Sequence, residues 1–208
     1  MASMRIIGGK WRSRRIASPP ADRTRPMPDR VKQSIFEILG ARLGIPGAIP
    51  ELNVADLFAG SGSLGLEAVS RGAATCVFVE RDRAALQVLR RNIDTLQADA
   101  QARVVAADAW RRSVSGLLGG VEAVGLIFVD PPYADTRDSG PSGRTARLLR
   151  RLVCSPCLTE DAVIVLHHER VVRFEAGRTD RWTPVDRREY GSTAISFVAP
   201  AGSAPADD

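Results

Sequence analysis

Four consecutive residues, Asp130-Pro131-Pro132-Tyr133, have the types and order needed to act on an amino group attached to an aromatic base. The lone pair of such a nitrogen is delocalised into the ring, so the amine is a poor nucleophile. The Asp130 carboxylate and the Pro131 carbonyl can accept its two N–H protons, draw the nitrogen toward tetrahedral geometry and aim its lone pair at an electrophile. Tyr133 can stack on the base. A second group lies upstream, Asp56-Leu-Phe58-Ala-Gly60-Ser-Gly62-Ser-Leu-Gly65. Its glycines can turn tightly and approach a ligand with no Cβ in the way, and Glu80, about twenty residues past Gly60, can take ribose hydroxyls. Taken alone, this turn suits NAD and S-adenosylmethionine equally. Hydride transfer makes no use of Asp130-Pro131-Pro132-Tyr133, so the two motifs together favour S-adenosylmethionine and methyl transfer to an exocyclic amine.

The elements that must position these residues can be read outward from the glycine turn. Val54, Ala55, Leu57 and Phe58 form the apolar run of a strand buried on both faces, and Leu64 to Arg71 forms a helix whose amino end faces the cofactor's carboxylate. Asp56 is then within reach of a methionine moiety. The run Thr75 to Glu80 is the next strand, and the stripe Leu86, Leu89, Ile93, Leu96 marks a core-facing helix. A third strand from Ala102 leads to Asp108, Ala109 and Trp110. Asp108 can accept an adenine amino group, with the Ala109 N–H on the ring, and an equally good reading makes Asp108 a helix N-cap. Val124 to Val129 leads into Asp130. Asp56, Glu80, Asp108 and Asp130 thus follow four successive strands, at the carboxyl edge where open α/β sheets bind ligands.

Beyond the catalytic motif, the polar stretch Ala134 to Gly143 is expected to be a mobile loop that closes over the base. A helix follows over Ala146–Val153 and a fifth strand over Ala162–Leu166. That strand leads into His167 and His168, the only histidines. Adjacent side chains on a strand point to opposite faces, so neither a chelating pair nor a general base is expected there. Arg181 to Tyr190 and Thr193 to Val198 read as a closing antiparallel hairpin. Cys154 and Cys157 have no partner pair for a zinc site and read as ordinary helix-end residues.

The chain has 208 residues, 44% hydrophobic and 25% charged, which suits one globular domain with a sizeable core. No run reaches the ~18–20 apolar residues of a membrane helix, and the start lacks a signal peptide's apolar region, so a cytoplasmic location is expected. Residues 1–32 hold nine basic residues against two acidic ones, or +7, while the whole chain carries +5, leaving −2 for residues 33–208. Such a basic front fits a phosphate backbone. Arg5, Lys10, Arg12, Arg14, Arg15, Arg25 and Arg30 are its candidate contacts, with Trp11 as a stacking or wedging surface; a merely solvated arm is the bland alternative. Arg5-Ile-Ile-Gly-Gly9 and Arg14-Arg15-Ile16 suggest a hairpin bent at the glycines. Asp29 can cap a helix whose apolar face is Val31, Ile35, Ile38 and Leu39, ending near Gly40 or Gly44 and followed by a linker to Pro50.

Together, the stretch Asp56 to Ala68, Asp130-Pro-Pro-Tyr133, the opening Met4-Arg-Ile-Ile-Gly-Gly-Lys-Trp-Arg12 and the segment Arg25 to Phe36 resemble the bacterial 16S ribosomal RNA guanine-N2 methyltransferases of the RsmD type. The likeness runs to about Pro200. It implies a Rossmann-like class I methyltransferase, a doubly wound α/β fold with a mostly parallel seven-stranded sheet in the order 3-2-1-4-5-7-6 and an antiparallel last hairpin. It also implies a basic RNA-binding hairpin and helix over residues 1–50, a catalytic domain over 51–200 and a disordered tail over 201–208. The implied reaction moves a methyl from S-adenosylmethionine to N2 of one guanine of 16S rRNA, in an assembling or assembled small ribosomal subunit, by a monomer without a metal. Where the family carries Thr and a small residue before Asp-Arg-Val-Arg-Glu, this chain has Met27-Pro28-Asp29-Arg30-Val31-Lys32-Gln33, so roles of that Thr and Glu do not carry over. A DNA adenine-N6 methyltransferase and a non-catalytic RNA-binding assembly factor are the alternatives.

Overall fold

Apolar runs buried on both faces form the centre of one large sheet with helices on either side. The computed structural model describes residues 4–19, 27–177 and 180–202. The sheet strands are β3 (Asn53–Asp56), β4 (Thr75–Glu80), β5 (Ala102–Ala106), β6 (Val124–Val129), β7 (Leu158–Glu169), β8 (Trp182–Tyr190) and β9 (Thr193–Pro200), side by side in the order β5-β4-β3-β6-β7-β9-β8. The first five run parallel, and β9 is antiparallel to both β7 and β8. Counted from β3 as the first, this is the expected order 3-2-1-4-5-7-6. The direction of winding reverses between β3 and β6, which opens a crevice at their carboxyl ends. Asp56 closes β3 and Asp130 follows β6, so both acids stand at that crevice.

One sheet face carries Val54, Phe78, Leu126, Phe128 and Val165 under α1 (Asp29–Arg42), α2 (Ser63–Ser70) and α3 (Arg83–Leu96). The other carries Ala55, Val77, Ile127, Val129 and Ile164 under α4 (Val114–Leu117) and α6 (Arg144–Val153). The predicted stripe of α3 is buried, and Asp82 caps the helix by accepting the N–H groups of Ala84 and Ala85. Helix α2 can lie against β4 only because Gly65 lacks a side chain: a Cβ there would sit 2.4 Å from the Phe78 ring. Gly62 has φ +82°, in the left-handed region that favours glycine.

The basic front is a two-stranded ribbon of β1 (Met4–Arg5) and β2 (Arg15–Ile16) joined through a 3-10 turn at Gly9–Trp11. Ile6, Trp11, Ile16, Val31, Ile35, Phe36 and Leu39 belong to the same apolar cluster as the sheet. Two expectations are corrected here. Trp11 is only 8% exposed and fills the core, so it offers no stacking or wedging surface. Asp29 does not cap α1, since Pro28 holds the N-cap position without a side-chain bond. Its carboxylate instead accepts the Arg5 Nε–H at 2.8 Å.

Polar groups fasten this front to α2. Glu67 is fully buried, pairing with Arg71 at 2.8 Å and Lys32 at 3.5 Å while accepting the Ile7 N–H at 2.8 Å. Lys32 Nζ also donates to the Arg5 carbonyl and to Ser63, the first residue of α2. Burial pushes the Lys32 ammonium pKa down, against the opposing charges of Glu67 and Asp29. Asn92 of α3 accepts the Ala17 N–H and donates to the carbonyls of Ala17 and Ser61.

Candidate active site

The four strand-end acids stand along the carboxyl edge in different states. Asp56 is 2% exposed and accepts the Gly65 N–H at 3.1 Å from beneath the turn. Burial pushes its carboxyl up to about 7; the Gly65 hydrogen bond opposes this, and the charges of Asp130 and Glu80 add to it. Glu80 braces the glycine turn, accepting the N–H of Gly60 at 2.9 Å with one oxygen and those of Arg81 and Asp82 with the other. Asp108 caps the turn after β5 by accepting the Trp110 N–H at 2.9 Å, and its second oxygen meets Arg81 at 3.1 Å. Ala109 is buried, and the rings of Phe58 and Trp110 stand 4.9 Å apart. Gly60 has φ +54°, and a Cβ on it would find only the Phe58 carbonyl, at 4.0 Å.

Asp130 is one-third exposed, with Pro131 buried beside it and Tyr133 half-buried at the start of α5 (Tyr133–Thr136). The stretch after the motif therefore begins as a helical turn rather than a loop, and Arg137 ties it to Glu169 through two contacts of 3.0 and 3.1 Å. The residue missed from sequence is His167. Its Nδ1 lies 2.7 Å from Asp130 Oδ1, and its Nε2 meets the Tyr133 hydroxyl at 3.2 Å and the Thr193 hydroxyl. The alternation argument itself holds, because His168 points the other way, to Ser196 and Phe174. What it omitted was register: β6 and β7 run parallel with Val129 beside Leu166, which sets the next residues, Asp130 and His167, side by side.

The Nδ1–H of His167 donates to the Asp130 carboxylate, and the hydroxyls of Tyr133 and Thr193 face Nε2. Thr193 also donates to the His168 carbonyl at 3.0 Å. Burial lowers the His167 pKa, but the charge and hydrogen bond of Asp130 outweigh it, and the net shift is upward. His168 behaves in the opposite sense: burial pushes it down to about 4, and its Nδ1–H donates to the Glu169 carbonyl while Nε2 accepts from Ser196.

A depressed folded value means that the His168 contribution is complete above pH ~6.5 and is lost as pH falls toward ~4. The unfolding free energy of wild type should therefore drop by up to about 3 kcal/mol across that window. In His168→Asn, which keeps a donor near the Nδ1 position, the drop should be absent. Equal unfolding free energies of wild type from urea titrations at pH 7 and pH 4.5 would refute this.

The basic residues of the front are distributed less uniformly than their sequence suggests. Arg5 pairs with Asp29, Arg14 donates to the Thr95 carbonyl, and Lys10 lies over the Trp11 ring at 4.4 Å. Arg12, Arg15 and Arg30 are exposed, and Arg25 lies outside the described residues. Among the described residues, no group of three or more His, Cys, Asp or Glu is placed to hold a metal ion, and no helix is long and apolar enough to cross a membrane.

The chain is similar to known proteins. Residues 4–199 match the family described as Conserved hypothetical protein 95. YlbH of Bacillus subtilis (strain 168) is 34% identical over 206 residues, covering 96% of this chain and 100% of that protein. Ribosomal RNA small subunit methyltransferase D of Escherichia coli (strain K12) is 42% identical over 130 residues, which is 62% of this chain and 60% of that one. Among solved structures, yhhF from Escherichia coli superposes with a TM-score of 0.75 at 30% identity, covering 96% of this chain and 99% of its own.

Proposed function

Because the chain belongs to the family described as Conserved hypothetical protein 95, we propose that it transfers a methyl group from S-adenosylmethionine to the exocyclic N2 of a guanine in small-subunit ribosomal RNA. The observation that carries this reading is Asp130, held through one oxygen by the His167 ring at the crevice between β3 and β6, with its second oxygen free to accept from an amine. The name of the Escherichia coli relative supports ribosomal RNA of the small subunit as the acceptor. The resemblance of the opening segment and of the motif at Asp130 supports N2 of guanine.

The residues present fit the cofactor. Gly60 leaves open space beside the turn, Gly62 stands at the amino end of α2, and Asp56, Phe58, Glu80, Asp108 and Ala109 lie at or just past the carboxyl ends of β3, β4 and β5. When bound, S-adenosylmethionine supplies an electrophilic methyl on a sulfonium sulfur. The protein's own part is to hold the amine. The free Asp130 oxygen and the Pro131 carbonyl accept the two N–H groups, Tyr133 packs against the base, and His167 keeps the carboxylate aimed. The proton shed by the methylated amine goes to Asp130 and then to water. A stacked guanine must first be turned outward at a cost of a few kcal/mol.

The test is methyl transfer to small ribosomal subunits, naked 16S RNA and duplex DNA, with the product digested to nucleosides. N2-methylguanosine from either RNA form is the expected result. N6-methyladenosine from DNA would replace this reading with the adenine alternative, and cofactor binding without any product would replace it with a non-catalytic RNA-binding role.

A further inference from the structure

Five arginines far apart in sequence meet beside the crevice, on the sheet face opposite the basic front. Arg81 follows β4, Arg111 follows β5, and Arg144, Arg147 and Arg151 lie on α6; around Asp108 and Trp110 they line a cleft of about 250 Å³. Among the described residues, two carboxylates pair with them. Asp108 meets Arg81 at 3.1 Å and Arg111 at 3.9 Å, and Asp135 meets Arg144 at 2.6 Å. Arg147 and Arg151 donate to backbone carbonyls of Ser142 and Trp110, which orient a guanidinium without neutralising it. Arg144 also lies over the Trp110 ring at 5.1 Å, so the indole steadies a cation. Arg111 is 89% exposed.

The shape of this array separates its candidate ligands. A single phosphate is held by donors converging on one point. Here the α6 arginines are strung along one helical face for about 10 Å, at seven residues and 1.5 Å each, a row that suits consecutive phosphates of a strand. The basic front packs with α1, α2 and α3 on one face of the sheet, and α6 packs on the other. Asp130 stands at the carboxyl edge between them.

We propose that this arginine cleft is a second RNA contact, holding the phosphate backbone of the strand that flanks the target nucleotide as that strand passes over the carboxyl edge from the basic front. The inference rests on RNA being the acceptor, as argued above. Guanidinium groups match phosphate geometry, and such contacts fix register without reading sequence.

The test compares wild type with the double variant Arg111→Gln/Arg147→Gln. Both side chains are exposed, neither belongs to the catalytic or cofactor set, and an intact fold is verified by circular dichroism and S-adenosylhomocysteine calorimetry. Binding of 16S RNA fragments is measured from low to high salt. The variant should bind roughly tenfold more weakly at low salt, and its log–log salt slope should be flatter by about 1.4, two contacts at about 0.7 each. S-adenosylhomocysteine affinity should stay within twofold. RNA affinity and slope equal to wild type would overturn the proposal, as would a loss confined to S-adenosylhomocysteine, which would assign the cleft to the cofactor. Nucleoside analysis of the same samples separates the two readings: a flatter slope with no N2-methylguanosine from wild type sinks the guanine reaction and leaves the phosphate track standing.

Discussion

Asp130→Ala is expected to lower methyl transfer by about 10²–10⁴-fold, the range for removing a positioned proton acceptor or electrostatic anchor, while S-adenosylhomocysteine binds within a few-fold of wild type. The asymmetry follows from geometry. Asp130 closes no part of the glycine turn, which Glu80 and Asp56 brace through Gly60 and Gly65. It does hold His167, whose raised pKa depends on that carboxylate. Asp130→Asn sharpens the test. The amide keeps one oxygen but cannot stabilise an imidazolium, so His167 should lose its upward shift and titrate at a lower pH in the variant, readable from its ring carbon NMR signals. Activity should fall between wild type and alanine. Retention of more than a tenth of wild-type kcat in Asp130→Ala would remove the acceptor from the mechanism.

The second large effect is on stability. Glu67→Ala should cost about 3–5 kcal/mol, the usual penalty for leaving a buried charge without its partner. For a chain of this length that is a fall of roughly 6–20 °C in Tm. Three groups lose an acceptor at once: the Arg71 guanidinium, the Lys32 ammonium and the Ile7 N–H. The first two have other acceptors, the carbonyls of Gly47 and Arg5, but no other carboxylate pairs with them among the contacts described. Glu67→Gln would restore an acceptor to Ile7 and recover only part of the loss. Denaturant unfolding of the three proteins decides it, and a loss below about 1 kcal/mol for alanine would mean that water reaches the two cations when the carboxylate is gone.

Much of this architecture was legible in the residues. The four acids announce the carboxyl edge because each follows an apolar run, and the α3 stripe and the strands Thr75–Glu80 and Val124–Val129 have the bounds their patterns suggest. The sheet order came from resemblance, since pattern alone does not say which strands become neighbours. What escaped notice depends on distance in sequence. His167 joins Asp130 through the β6–β7 register, a contact 37 residues long. Trp11 reads as a nucleic-acid aromatic beside its arginines, yet hydrophobic burial claims it for the core. A net of −2 over residues 33–208 conceals a cluster of arginines because summation along a chain ignores where helices and strand ends bring charges together. Glu67 and Lys32 look like ordinary polar positions of two helices until α1 and α2 are packed with those positions facing.

The position of β9 has a consequence for synthesis. It is the final strand of the sheet, yet it lies inside, between β7 and β8, and it supplies Thr193, whose hydroxyl meets His167 Nε2. Chains emerge from the ribosome amino end first and fold as units when enough has appeared. While residues before Thr193 are being made, the parallel strands β3 to β7 can assemble with the glycine turn, Asp130 and His167 in place, but β8 has no neighbour and His167 Nε2 lacks the Thr193 hydroxyl. The last strand to be made thus closes the sheet and the hydrogen-bond set around His167 together.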